Sequence, residues 1–302
     1  MTRNRNLHVL VALSWSWALS LVSPAHSDLP RVLVWAETLQ GTEEQEIRRP
    51  VALASGGDDE LVVADAQPPR LLVFRRVGVT WQLRRAVDLD SAPIDLVHDG
   101  SRFVASLRGS KDLSTFEGID EMERSVIPLP EGTVPGQLAA EATGALLVFD
   151  LAGEKLLRVS GAGRVQKELP FGAAVTALAS TPGGGFVVAN ASEGSVQRFD
   201  THWQAGERWD LPSAGPVPVW PVGIAVGPSG SLDVVDRHGA RILALDATGK
   251  PEGTGSGHGW EPGLLLYPSA IDRMADGSLV VADEGNGRVQ IFRRVGGGPQ
   301  LQ

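Results

Sequence analysis

The chain of 302 residues contains no cysteine. Disulfide frameworks, thiolate metal centres and cysteine nucleophiles are therefore excluded. Charge is sparse at 21% of residues, and 36 acidic residues against 27 basic ones give a formal net charge of −9. No stripe of Lys and Arg is present to neutralise phosphates, so a nucleic-acid partner is not expected. What is abundant is Gly (36) and Pro (20), within a chain that is 42% hydrophobic. That is too apolar for a disordered chain and too rich in helix breakers for a helical bundle. The length allows two domains or one large all-β domain.

Arg3 and Arg5 precede an uncharged stretch over 6–27, apolar from Leu7 to Val22, that closes on Pro24-Ala25-His26-Ser27. A positive start, an apolar middle and small residues at the exit are the layout of a secretory signal peptide, expected to be cut after Ser27. The rival reading is a membrane anchor; Ser14, Ser16, Ser20 and Pro24 speak against it. The expected domains are a signal peptide over 1–27 and a folded domain over 28–302. The mature chain, without Arg3 and Arg5, carries −11. It is expected in the periplasm or outside the cell, with no membrane span after cleavage, and as a monomer.

The remainder is written as repeats. The clearest copy runs from Pro268 through Asp283 and Arg288 to Phe292. It reads as a strand, an Asp-Gly turn, an apolar strand, a Gly-rich turn and an alternating strand. Matching copies open at Pro50 (Asp65, Arg70), Pro135 (Asp150, Lys155), Val175 (Asn190, Ser195) and Pro221 (Asp236, Arg241). In these five the opening and the acid lie 15 residues apart, and the acid and base 5 apart. A degenerate copy opens at Pro93, with Ser106 and Lys111. Segments ending at Leu89, Leu129, Leu169 and Leu211 supply a fourth strand, which the last copy lacks; Arg31–Leu39 has its pattern. Repeats of this length indicate propeller blades, so the expected fold is an all-β, six-bladed β-propeller of four-stranded blades, closed by the N-terminal strand.

The stretch Ala282-Asp283-Glu284-Gly285-Asn286-Gly287-Arg288-Val289-Gln290-Ile291-Phe292 resembles the NHL repeat, and Gly253-Thr254-Gly255-Ser256-Gly257-His258-Gly259 resembles that family's link between blades. The resemblance implies a propeller that serves as a binding platform and does not itself imply chemistry.

Asp65, Asp150, Asp236 and Asp283, with Arg70, Lys155, Arg241 and Arg288, recur at equivalent corners. A device repeated in every copy is expected to be structural, each Asp bonding its own turn and pairing with its own base. Function belongs where copies differ. The residue before each opening strand is Arg49, Ala92, Val134, Ala174, Trp220 or Tyr267. Nearby loops add Arg237, His238, His258, Trp260, Glu284 and Asn286. Aromatic faces beside hydrogen-bonding groups suit a protein, peptide or glycan ligand, and no cofactor is expected. A second outlier is the acidic stretch Glu117, Asp120, Glu121 and Glu123, read as a solvated loop, a docking loop or a calcium site.

The alternative is a metal-dependent hydrolase or lyase, lactonase-like or amidating-lyase-like, holding calcium or zinc at the channel mouth. Its ligands would come from Asp95 and Asp272, beside Gln137. Of the histidines, only His238 and His258 are expected to share a face, and zinc chemistry needs more. No Gly-x-Ser-x-Gly elbow is present.

Overall fold

The structure is a computed structural model and describes residues 29–295 except 58, 119 and 173. The expected signal peptide lies outside the described residues. Among the described residues twenty-four strands follow in chain order. They are β1 (Arg31–Leu39), β2 (Pro50–Ser55), β3 (Glu60–Ala66), β4 (Pro69–Val77), β5 (Thr80–Asp88), β6 (Pro93–His98), β7 (Phe103–Leu107) and β8 (Asp112–Glu117). Next come β9 (Glu123–Pro128), β10 (Pro135–Ala140), β11 (Leu146–Asp150), β12 (Lys155–Val159), β13 (Val165–Pro170), β14 (Val175–Ser180), β15 (Phe186–Asn190) and β16 (Ser195–Phe199). The last are β17 (Ala205–Asp210), β18 (Pro221–Val226), β19 (Leu232–Asp236), β20 (Arg241–Leu245), β21 (Pro251–Gly255), β22 (Ala270–Arg273), β23 (Leu279–Asp283) and β24 (Arg288–Arg294). Among the described residues no helix is long and apolar enough to cross a membrane.

Apolar runs such as Leu61–Ala64 and Val280–Ala282 are buried on both faces of their sheets. Second and third strands therefore read as continuous hydrophobic runs, whereas outer strands such as β5 alternate. Innermost strands β2, β6, β10, β14, β18 and β22 contact one another in cyclic order around a central channel. Sheets pack face to face through clusters shared by neighbours: Leu71 and Val73 meet Leu96, Phe103 and Phe116. Side-chain bonds also join one sheet to the next around the channel. Ser269 Oγ donates to Pro50 O (2.8 Å), Thr176 Oγ1 to Pro221 O (2.6 Å) and Ser106 Oγ to Gly136 O (2.7 Å).

The expectation of six separate four-stranded blades, closed by the N-terminal strand, is overturned. The strands form four four-stranded sheets and one eight-stranded sheet, ordered β18-β19-β20-β21-β1-β24-β23-β22. The cause lies in β1, which pairs antiparallel with β24 and also parallel with β21. Two glycines permit the second contact. A Cβ at Gly253 would lie 2.5 Å from Pro30 O, and one at Gly255 would lie 2.5 Å from Leu33 Cβ. Hydrogen bonding consequently runs unbroken across what would otherwise be a boundary between two sheets.

Candidate functional site

The corners come first, because they set the heights of everything at the channel mouth. Each acid faces its base across a hairpin: Asp65 opposite Arg70, Asp150 opposite Lys155, Asp236 opposite Arg241 and Asp283 opposite Arg288. The carboxylates accept backbone N–H bonds from the residues that lead into the inner strand of their own sheet, as from Arg49 (2.8 Å), Val134 (3.0 Å), Trp220 (3.0 Å) and Leu266 (2.7 Å). Three acids are also bound by their own Arg, at 3.2, 3.0 and 2.8 Å. Those guanidiniums reach on to link carbonyls: Arg70 to Glu46 O, Arg241 to Pro212 O and Arg288 to Leu264 O. Lys155 departs from this pattern. It binds Glu168 at 2.8 Å on the outer strand instead of its own acid.

These corners deliver a ring of residues to one mouth of the channel. The same backbone bond recurs there: Ala66 N to Arg49 O, Arg108 N to Ala92 O, Leu151 N to Val134 O, Arg237 N to Trp220 O and Gly285 N to Leu266 O. Tyr267 follows Leu266 with a left-handed backbone (φ 47°), a conformation shared with Ala174. The Glu284 side chain, 12% exposed, lies between Arg49 Nε (2.8 Å) and Arg237 Nη1 (2.7 Å). Arg237 Nη1 also donates to Tyr267 O at 3.0 Å, and its guanidinium lies 5.6 Å from the Tyr267 ring centre. The Trp220 ring lies 5.1 Å from that of His238. Sequence-predicted Arg49, Arg237, Tyr267 and Glu284 are thus one contact network, with the Trp220–His238 pair joined to it through the Arg237 backbone.

The remaining candidates are placed differently. His258 and Trp260 are exposed on the link before Tyr267 and form no side-chain contact with the network among the described residues. Asn286 Nδ2 donates to Gly259 O (3.0 Å) and Asp283 (2.8 Å), so its amide braces the corner. Gln290, which the repeat pattern did not single out, completes that brace by donating to Asp283 and Leu264 O and accepting from Gly263 N. The acidic stretch of the second repeat folds onto its neighbour. Arg75 meets Asp120 (3.4 Å), Arg85 donates to Glu121 O (2.7 Å), and Met122 is buried between the two sheets.

Below the mouth lies a cavity of about 740 Å³ bordered by all six inner strands and, at its upper end, by Arg237. Asp95 and Asp272 lie in it. Asp95 accepts from Leu96 N and Leu138 N, both at 2.8 Å, and Asp272 from Ser55 N and Oγ, both at 2.8 Å. Each carboxylate therefore clips one inner strand to the next. Burial in the ring pushes the Asp95 carboxyl up to about 6, against its two N–H donors and with the Asp272 charge adding to the rise. Asp272 is raised by the same desolvation, opposed by Ser55. Three buried cavity-lining atoms have no partner among the described residues: Gln137 Oε1, Ser180 Oγ and Arg273 Nε. His98 ends β6 at the far end of the channel and packs on Phe103. Another buried carboxylate missed by sequence reading, Asp233, ties the neighbouring Arg273 and Arg294 together.

Among the described residues no three or more His, Asp or Glu side chains converge as metal ligands. The donor set of the channel, two carboxylates already bonded to their neighbours and one amide, does not fit a zinc or calcium centre.

Comparison with known proteins gives the fold. Residues 265–292 match the family model of the NHL repeat. No curated protein matches the chain. Among solved structures, a streptogramin B lyase is similar at 14% identity and a TM-score of 0.63, covering 86% of this chain and 98% of that one. A virginiamycin B lyase from Staphylococcus aureus is similar at 13% identity and a TM-score of 0.60, with 89% of each chain covered. The WD40 β-propeller domain of Doa1 matches at 10% identity and a TM-score of 0.62, covering 87% and 97%. The fold is an all-β β-propeller. At such identities the likeness extends to the fold alone.

Proposed function

We propose that the protein is an exported, non-catalytic recognition propeller that binds a protein, peptide or glycan at the mouth built from Arg49, Trp220, Arg237, Tyr267 and Glu284. The observation that carries this reading is the network itself. Side chains from three different repeats meet at one mouth, and exposed aromatic rings stand beside them (Trp220 38%, Tyr267 53%). Exposed aromatics with fixed polar neighbours are the usual composition of a binding surface rather than of a solvated face. The WD40 neighbour is consistent with a scaffold role. Export rests on the N-terminal pattern of Arg3, Arg5 and the apolar stretch behind them.

The test is binding of the purified mature chain to peptide and glycan arrays, repeated with Trp220→Ala combined with Tyr267→Ala. Both side chains are exposed, so the double variant is expected to keep its melting temperature and lose the array hits. Hits that survive the double substitution overturn the site.

A second reading, a lyase or hydrolase working in the channel, is favoured by the two lyase neighbours and by the unpartnered polar atoms that line the channel. It predicts a turnover that is lost in Asp95→Ala or Asp272→Ala.

A further inference from the structure

The mouth has a charge of its own that the rest of the chain does not share. Among the residues joined by the recurring backbone bond the charged side chains are Arg49, Arg108 and Arg237, and Glu284, next to Gly285, is bonded to two of them. A surplus of positive charge therefore sits at the axis of a protein whose net charge is −9. Glu284 is nearly buried and already shared by two guanidiniums. Arg108 is exposed and forms no ion pair among the described residues.

The hydrogen bonds show which donors remain. Arg49 spends only its Nε, on Glu284, and its side chain is 55% exposed. Both of its terminal nitrogens lack a protein partner among the described residues, while the Nε bond fixes the plane of the fork. A guanidinium anchored on one side with two free nitrogens on the other matches a carboxylate in bidentate geometry. Glu284 joins this fork to Arg237, whose guanidinium lies over the Tyr267 ring, so the free donors and an exposed aromatic face belong to one continuous surface. Exposed acids occupy the surrounding links, among them Glu43, Glu131 and Glu261. That rim repels an extended polyanion and admits a compact one.

We propose that the ligand of this mouth carries a carboxylate on an apolar or aromatic body. The carboxylate docks on the terminal nitrogens of Arg49, and the body lies against Tyr267 and Trp220. Glu284 acts as a positioning residue that holds the two guanidiniums apart. The proposal rests on the binding reading above and adds the class of ligand to it.

The test is titration calorimetry with N-acetyltryptophan, its neutral amide and the cation tryptamine. The carboxylate is expected to bind at least about tenfold more tightly than the amide, an advantage that weakens as salt is added. Arg49→Gln, a substitution at an exposed side chain, is expected to erase that advantage, so that acid and amide bind alike. Equal affinity for acid and amide, tighter binding of tryptamine, no carboxylate heat up to about 10 mM, or an Arg49→Gln variant that behaves as wild type each overturns the proposal. Failure here is separable from failure of the site. Neutral or cationic array hits that vanish in the Trp220→Ala and Tyr267→Ala double variant leave the site standing and remove only the carboxylate.

Discussion

The same side chain, aspartate, is used in two settings a few residues apart. At the corners, Asp65, Asp236 and Asp283 each meet an arginine from the same hairpin and a backbone N–H from the incoming link. In the channel, Asp95 has only backbone N–H donors, and Asp272 has backbone N–H groups and the Ser55 hydroxyl. The corner is electrically closed and recurs, so it holds the ring together. The channel carboxylates occur once each, lack a guanidinium on their oxygens and border open space, so their state depends on what surrounds them. Repetition marks the scaffold, and departure from it marks the places where charge is left over.

Breaking a corner is expected to cost most. Asp283 accepts from Leu266 N, Asn286, Arg288 and Gln290, and Asp283→Ala leaves the Arg288 guanidinium buried without its counter-ion. A loss of about 3–5 kcal/mol is expected in denaturant unfolding. The channel is expected to respond to pH instead. Asp95 is raised to about 6 from the ordinary 3.8, so the folded chain takes up a proton before the unfolded chain does. Stability should therefore rise as pH falls through about 6 toward about 4, by roughly 1–2 kcal/mol after allowing for channel solvent. Melting curves at steps across that window check the sign, and Asp95→Asn should flatten the rise. Asp272, raised in the same direction, contributes with the same sign. The smallest expected effect sharpens the corner half of the comparison. Lys155→Arg should let the third repeat bond its own Asp150 as the other corners do, gaining about 0.5 kcal/mol; no change in melting temperature would show that the Glu168 pair serves equally well.

Much of the scaffold was legible because its signals are local. The spacing of 5 between acid and base is a hairpin register, and the structure pairs those residues directly. Inner strands begin at Pro50, Pro93, Pro135, Val175 and Pro221, where the sequence opens its copies. The last begins at Ala270, two residues after Pro268, beyond the left-handed Tyr267. What escaped were contacts between segments distant in sequence. Gly253 and Gly255 read as part of a link, yet they form β21 and give β1 its close approach. Asp233 looked like one more strand residue, because its partners Arg273 and Arg294 come from another repeat. The Glu284 network had the same obstacle: its members were each singled out as exceptions, but nothing in the linear order says that one carboxylate bridges two of them.

The eight-stranded sheet has a consequence for how the molecule comes into being. β1 opens the described chain, and both of its neighbours, β21 and β24, lie near its other end. Until β21 and β24 have been made, β1 lacks both of the partners it has in the eight-stranded sheet. A chain cut short before β24 leaves β1 without its antiparallel partner.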